Sequence, residues 1–340
     1  MSKPSSFATI CTNLCSTELI GLLLSLSIFH TNEKIYILCD SSTKRTIDSV
    51  TPKIKLEIVW FVELDKYENQ DRVTMVNNGT WGDFQMNKAL IIEKALQNER
   101  DTLYLDSDII ITDLINDIDK TKSLGVSPHY MRKDITDTYG YYNGGMLWAN
   151  NKNISSDWIL FTKNSRYYDQ ASIEDLTKKY DYFEFTDNYN LQSHRFSHNI
   201  YNDENKFLSL IKVNENENKI YYNDKPLKFI HSHFNTKTDK FNKIMIDFLK
   251  KAKMYKILTI IYRVINNKWI VKIPKQPIHD ANYPTNDSYK ELLVLKENSI
   301  DIDIYYDDNK SLEENTCVYD TTIEYCDEIN NASLLLLFNV

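Results

Sequence analysis

Residues 102–111 constrain this chain more than any other stretch. The apolar β-type run Thr102-Leu103-Tyr104-Leu105 delivers Asp106-Ser107-Asp108, and the chain turns apolar again at Ile109-Ile110-Ile111. Side chains alternate on a strand, so Asp106 and Asp108 project to the same side. Two like charges that close repel unless a cation or a proton lies between them. Hard oxygen ligands of this kind suit Mg²⁺ or Mn²⁺, with a substrate diphosphate completing the shell. The run reads as a metal site that holds a nucleoside diphosphate. The plainer alternative is a strand that ends in two solvated acids.

The 340 residues, 42% of them hydrophobic, suffice for a substantial core and more than one average domain. Only 7 Gly and 7 Pro occur, which argues against a linker-rich or disordered protein. A net charge of -8 and a pI near 5.5 remove any global electrostatic case for nucleic-acid binding. The charge is uneven, however: 237–275 is basic and 280–328 is acidic. The five cysteines are Cys11, Cys15, Cys39, Cys317 and Cys326, and an odd count favours reduced thiols and a cytosolic setting. The pair Cys11 and Cys15 lacks the second cysteine pair and the histidines of a zinc site. The apolar run 19–29 is too short to span a bilayer and follows no basic leader.

Along the chain, strands are expected at 7–11, 34–39 and 55–62, with a helix from Ser16 or Thr17 to about 30. A helix over 84–98 precedes the strand that carries the aspartates. The stretch 141–148 is a turn entering an apolar strand, where Gly144 and Gly145 permit close backbone approach or positive φ. Helices follow at 157–163 and 173–180, a strand at 228–234, and a helical pattern over 240–267, broken once at most. Past Pro274 come β-type runs at 291–295, 300–306, 321–325 and 333–338. The order implies an α/β fold with a largely parallel sheet over 1–270 and a β-rich appendage over 271–340. Ligands of such sheets collect beyond the carboxyl ends of the strands, where Thr12, Asn13, Asp40, Asp106 and Asp108 fall.

Several segments, in order, resemble the metal-dependent glycosyltransferases of the GT-A fold, nearest the family 8 type that includes glycogenin and bacterial galactosyltransferases. Thr9 to Asn13, through Leu24-Ser25-Leu26-Ser27 to Tyr36-Ile37-Leu38-Cys39-Asp40, looks like the nucleotide-binding opening. Leu103 to Asp108 looks like the "YLD-x-D" metal motif. Tyr142-Asn143-Gly144-Gly145-Met146-Leu147-Trp148 resembles the "FN-small-G" segment. Asp169-Gln170 with Tyr189-Asn190 resembles the "DQ…N" pair, and Ile230-His231 the late "IH" segment. The family's following Gly and "K-P-W"-like segment is replaced here by Ser232-His233-Phe234-Asn235, with only Lys237 or Lys240 following nearby.

The resemblance implies a GT-A (Rossmann-like) nucleotide-diphospho-sugar transferase that uses Mn²⁺ or Mg²⁺ and a nucleotide-sugar, a UDP-sugar first among candidates. Metal ligands would be Asp106, Asp108 and His231, with His233 in reserve because both histidines are placed on one strand. Thr12, Asn13, Asp40, Lys88, Asp106, Ser107 and Asp108 would bind the nucleotide, and Arg72 is a second candidate for phosphate or ribose. Asn143, Asp169 and Gln170 would face the sugar. Gln170 would stabilise an oxocarbenium-like transition state with retention of configuration, whereas Asp169 as a base would serve inversion. The basic stretch 240–275, with apolar Ile244, Phe248, Ile257, Leu258 and Ile261 interleaved, either packs on the core or rests on an anionic membrane beside a lipid-linked acceptor. A phosphoryl-transfer hydrolase and a non-catalytic nucleotide- or glycan-binding protein are the alternatives.

Overall fold

A computed structural model describes residues 2–49, 54, 56–236, 239–266, 289–297 and 300–307. The first elements are β1 (Ser6–Cys11), α1 (Ser16–Phe29), β2 (Lys34–Cys39), α2 (Ser41–Asp48), β3 (Glu57–Val62), α3 (Arg72–Asn77) and α4 (Trp81–Leu96). Next come β4 (Thr102–Leu105), β5 (Ile109–Ile111), β6 (Leu124–Pro128), α5 (Lys133–Tyr139), β7 (Tyr142–Ala149), α6 (Asn153–Thr162), α7 (Tyr168–Ala171) and α8 (Ile173–Lys179). They are followed by β8 (Tyr182–Glu184), β9 (Leu191–Gln192), α9 (Ser193–Ser197), α10 (Glu204–Ser209), β10 (Ile211–Asn214), β11 (Lys219–Tyr222), β12 (Lys225–Pro226) and β13 (Phe229–His231). The last are α11 (Lys240–Lys251), α12 (Tyr255–Asn266), β14 (Tyr289–Glu297) and β15 (Ile300–Asp307).

Seven strands form the main sheet in the order β3-β2-β1-β4-β7-β6-β8. The neighbours β3, β2, β1 and β4 run parallel, and β7 runs antiparallel to both β4 and β6. The fold is thus α/β, as expected, with one reversed strand in a mostly parallel sheet. Residue alternation sorts the two faces. Phe7, Ile35, Ile37, Leu103, Leu105, Met146 and Trp148 join α1 and α12 in one core. Ala8, Tyr36, Leu38, Tyr104, Leu147 and Ala149 join α4, α6 and α8 in the other. Burial on both faces explains why these strands read as continuous apolar runs.

A smaller sheet, β5-β13-β9, positions the site. The strand expected to continue through the aspartates stops at Leu105, and residues 106–108 form a turn. Ile109 N closes it on the Asp106 carbonyl at 3.3 Å. The chain leaves the main sheet there and enters the smaller one, where Ile109 pairs antiparallel with His231. The strand expected over 228–234 spans only Phe229–His231, so His233 lies beyond it.

The helical pattern over 240–267 is broken once, between Lys251 and Tyr255. Ile257, Leu258, Ile260, Ile261 and Val264 are buried in the core that contains α1. The apolar stripe that a membrane contact needs is therefore spent on the protein's own core. No helix among the described residues is long and apolar enough to cross a membrane. Two of the expected late β runs appear as the antiparallel pair β14–β15. The runs at 321–325 and 333–338, with Cys317 and Cys326, lie outside the described residues. Cys11, Cys15 and Cys39 are free thiols, and burial pushes Cys15 and Cys39 up to about 12.

Candidate active site

A cleft of about 660 Å³ opens at the carboxyl ends of β1 and β4, and Thr12, Lys88, Asp106, Ser107 and Asp108 line it. Its volume lies in the range of small-molecule sites. Asp106 and Asp108 meet His231 there, with one donor atom from each lying within 4.8 Å of the others. The convergence does not come from strand alternation. The turn presents Asp106 from the end of one sheet and Asp108 from the start of the next, and pairing with β13 brings His231 alongside. His231 Nε2 lies 3.2 Å from Asp108 Oδ1 and 4.0 Å from Asp106 Oδ2.

The opposite ring nitrogen fixes how His231 is presented. His231 Nδ1 donates to Asn190 Oδ1 at 2.8 Å, which turns Nε2 toward the two carboxylates. Asn190 takes a left-handed φ of 50° and is held in turn: its Nδ2 donates to Ser127 Oγ and Asn143 Oδ1, both at 3.0 Å. This is the outer support that metal-binding histidines usually have. Gly145 completes the cradle. A Cβ there would lie 2.4 Å from His231 Cε1 and 2.7 Å from Asp106 Oδ2. Glycine is thus required for close approach, not for its backbone angle. Two carboxylates, an imidazole with a fixed lone pair and a cradle that admits no methyl group fit a divalent cation.

Lys88 forms the second layer. Its Nζ lies 3.2 Å from Asp106 Oδ1, 3.1 Å from Asp169 Oδ2 and 3.1 Å from the Gly144 carbonyl. Burial works against the ammonium, but the Asp106 and Asp169 carboxylates more than offset it and hold Lys88 above its usual range. Burial raises Asp169, and Lys88 restrains the rise. Burial works against the Asp108 carboxylate too, yet the His231 and His233 imidazoles hold it below the carboxylate range. Gly144 lets the Asp169 side approach, since a Cβ there would lie 2.3 Å from Asp169 Oδ2.

The remaining candidates divide between cleft and scaffold. Asn143, Asp169 and Gln170 line the cleft. Asn143 Oδ1 already accepts from Gly145 N at 2.8 Å, and Gln170 Nε2 donates to the Tyr139 carbonyl at 3.1 Å. Arg72 also lines the cleft and donates to the Tyr167 hydroxyl at 3.2 Å. Asp40 and Asn13 do not line it. Asp40 is fully buried, caps α2 through Thr43 N at 2.8 Å and accepts from Asn13 N at 2.6 Å. Asn13 pairs its side chain with that of Asn69 at 2.7 Å. For both, turn and cap chemistry accounts for the residue type. Lys240 pairs with Glu204 outside the cleft, and Lys237 lies outside the described residues.

His233 is 66% exposed at the cleft wall, with Nδ1 3.0 Å from Glu18 Oε1 and 3.5 Å from Asp108 Oδ2. Glu18 escaped the sequence reading, although an acid entering an all-apolar helix signals a buried partner. His129, Gln192, His194 and His198 also line the cleft. Their types and spacing carry no signal, because contacts distant in the chain bring them there.

No protein-family model and no curated protein matches this chain. Solved structures do. It is similar to the apo form of the glycosyltransferase GlyE of Streptococcus pneumoniae TIGR4, at 15% identity and TM-score 0.47 over 78% of this chain and 64% of that one. A second GlyE structure is similar at 18% identity and TM-score 0.34, over 54% of this chain and 46% of that one. The apo structure of the bifunctional glycosyltransferase WbbM is similar at 11% identity and TM-score 0.47, over 76% and 52%. The chain therefore spans less than two thirds of the length of each.

Proposed function

We propose that this protein is a glycosyltransferase of the GT-A type that uses Mn²⁺ or Mg²⁺ to move a sugar from a nucleotide-sugar, with UDP-sugars the first donors to test, to a glycan, protein or lipid-linked acceptor. One observation carries the reading: Asp106, Asp108 and His231 converge on the cleft, with the His231 ring fixed by Asn190. A hydrolase that works through a pair of aspartates has no need of that imidazole.

Asp106, Asp108 and His231 would hold the cation, which when bound neutralises the departing diphosphate as a Lewis acid. Lys88 links the metal side to the sugar side through its ion pairs with Asp106 and Asp169. Asp169 accepts from sugar hydroxyls, and Gln170 sets its amide dipole against the charge that develops at the anomeric carbon. Asn143 orients the strand edge that carries both glycines. Retention is the favoured outcome, because every carboxylate of the Lys88 cluster is already ion-paired and a free base for inversion is lacking there.

The test is a screen of nucleotide-sugars by thermal shift with and without metal. UDP with Mn²⁺ is expected to raise the melting temperature, and Asp108→Asn to abolish that rise while the protein stays folded. Undiminished UDP affinity in Asp108→Asn overturns the site. Release of phosphate from generic monoesters without donor turnover would instead mark a phosphatase. UDP binding without hydrolysis or transfer of any donor would mark a binding protein.

A further inference from the structure

Five carboxylates line the cleft, and each already has a partner. Asp106 and Asp169 share Lys88, Asp108 faces His231, and Glu18 faces His233. Asp71 accepts from Thr74 N at 2.7 Å as the cap of α3. The cleft's other basic groups are not matched in this way. Among the described residues no carboxylate pairs with Arg72, His129, His194 or His198, although all four line the cleft.

His194 lies on α9 and His198 is the residue that caps its C-terminus, their rings near-parallel at 11° with centroids 6.4 Å apart. His194 is exposed, and His198 Nδ1 is buried without a hydrogen-bond partner. His129 is 5% exposed, and its Nε2 also lacks a partner. Burial lowers His194, and the charges that add to the lowering are His198, His231, Arg72 and His233, all of one sign. A wall of donors with no acid facing it is an anion site by chemistry. The donor's diphosphate would meet the cation held by Asp106, Asp108 and His231, and none of Arg72, His129, His194 and His198 belongs to that trio.

We propose that Arg72, His194 and His198, backed by His129, form a subsite for a phosphate- or carboxylate-bearing acceptor, so that the acceptor of this transferase is anionic. The assignment rests on the glycosyltransferase reading above. The anion could come from the acceptor or from the donor's own diphosphate, and the experiment separates the two.

Methyl phosphate, an anion that favours the charged form of an imidazole it meets, is titrated into the full chain saturated with Mg²⁺ and UDP at about pH 6. The histidine ring resonances are followed by NMR. Saturable binding that shifts the His194 and His198 rings without displacing UDP is expected. His194→Gln/His198→Gln should weaken methyl phosphate by about tenfold or more, the loss of two charge-assisted hydrogen bonds, and leave UDP affinity unchanged. Displacement of UDP by methyl phosphate assigns the wall to the donor and overturns the proposal. Equal binding by the double variant, or no saturable binding, also overturns it. The same titration without nucleotide reads the wall even if UDP fails to bind, which keeps failure of this subsite distinct from failure of the donor reading.

Discussion

At the scale of single residues, the proposed ligand trio depends on a residue outside it. Asn190 alone fixes which nitrogen of His231 faces Asp106 and Asp108. Asn190→Ala should therefore weaken Mn²⁺ binding by about 10–100-fold, read by electron paramagnetic resonance, with little change in melting temperature. His129 bears on stability instead. Burial, then the His231 and His194 charges, push it down to about 3. The unfolded chain binds a proton near 6.5, so between those values it holds one proton more than the folded state. Stability attributable to His129 is then complete above about pH 6.5 and falls by about 1.4 kcal/mol per unit as pH drops toward 3. Urea unfolding across that range should show a shallower acid limb in His129→Gln than in the parent. An equal slope would show that His129 is not held neutral. Asp106, Asp108 and His231 were legible in the sequence because type and neighbours announce them. Asp40 and Asn13 are engaged in cap and turn contacts outside the cleft lining; an acid or amide at a strand end reads alike as ligand or as cap. Glu18 signals a buried partner but not which one, because His233 lies 215 residues away.

At the scale of elements, α1 is the support on which the smaller sheet rests. It packs against β5 and α12, and Ser25 Oγ accepts from Ile111 N at 3.0 Å. Gly21 allows the close approach, since a Cβ there would lie 2.8 Å from Val264 Cγ2 and 3.0 Å from Ile110 Cδ1. Gly21→Val adds an isopropyl group, three carbons, to that contact. It should cost about 1–3 kcal/mol in urea unfolding, as overpacking does, and a loss of Mn²⁺ affinity should accompany it if β5 moves. Of the elements in 6–111, β1, α1, β2, β3 and α4 were readable from residue pattern to within a few residues, whereas the short polar helices α2 and α3 were not. The stop at Leu105 was not, because the apolar run resumes at Ile109 and only pairing with β13 shows that a second sheet has begun. The basic amphipathic stretch after 240 fails as a membrane element for a similar reason. Amphipathicity states that an apolar face exists, and packing decides what covers it.

At the scale of the whole molecule, the cleft joins both sheets and residues from Ile10 to His233. Ligand binding there should report as global stability. At about 100 times its dissociation constant, UDP with Mn²⁺ should add about 2.7 kcal/mol, and a chelator should remove that gain without lowering the stability of the nucleotide-free protein. A chelator effect on the nucleotide-free protein alone would indicate a structural metal instead. The sequence by itself determined the α/β class and the acid pair that ends β4, because apolar periodicity and local charge are properties of neighbours in the chain. Only the tertiary structure decided that a turn, not a strand, presents those acids, and that Asn190 aims His231. It also decided that Lys88 is shared between Asp106 and Asp169, and that a row of histidines faces the cleft unopposed by acid. Each of those facts depends on elements that pack or pair at a distance along the chain, such as the 41-residue separation of Asn190 and His231, and no local pattern encodes such a distance.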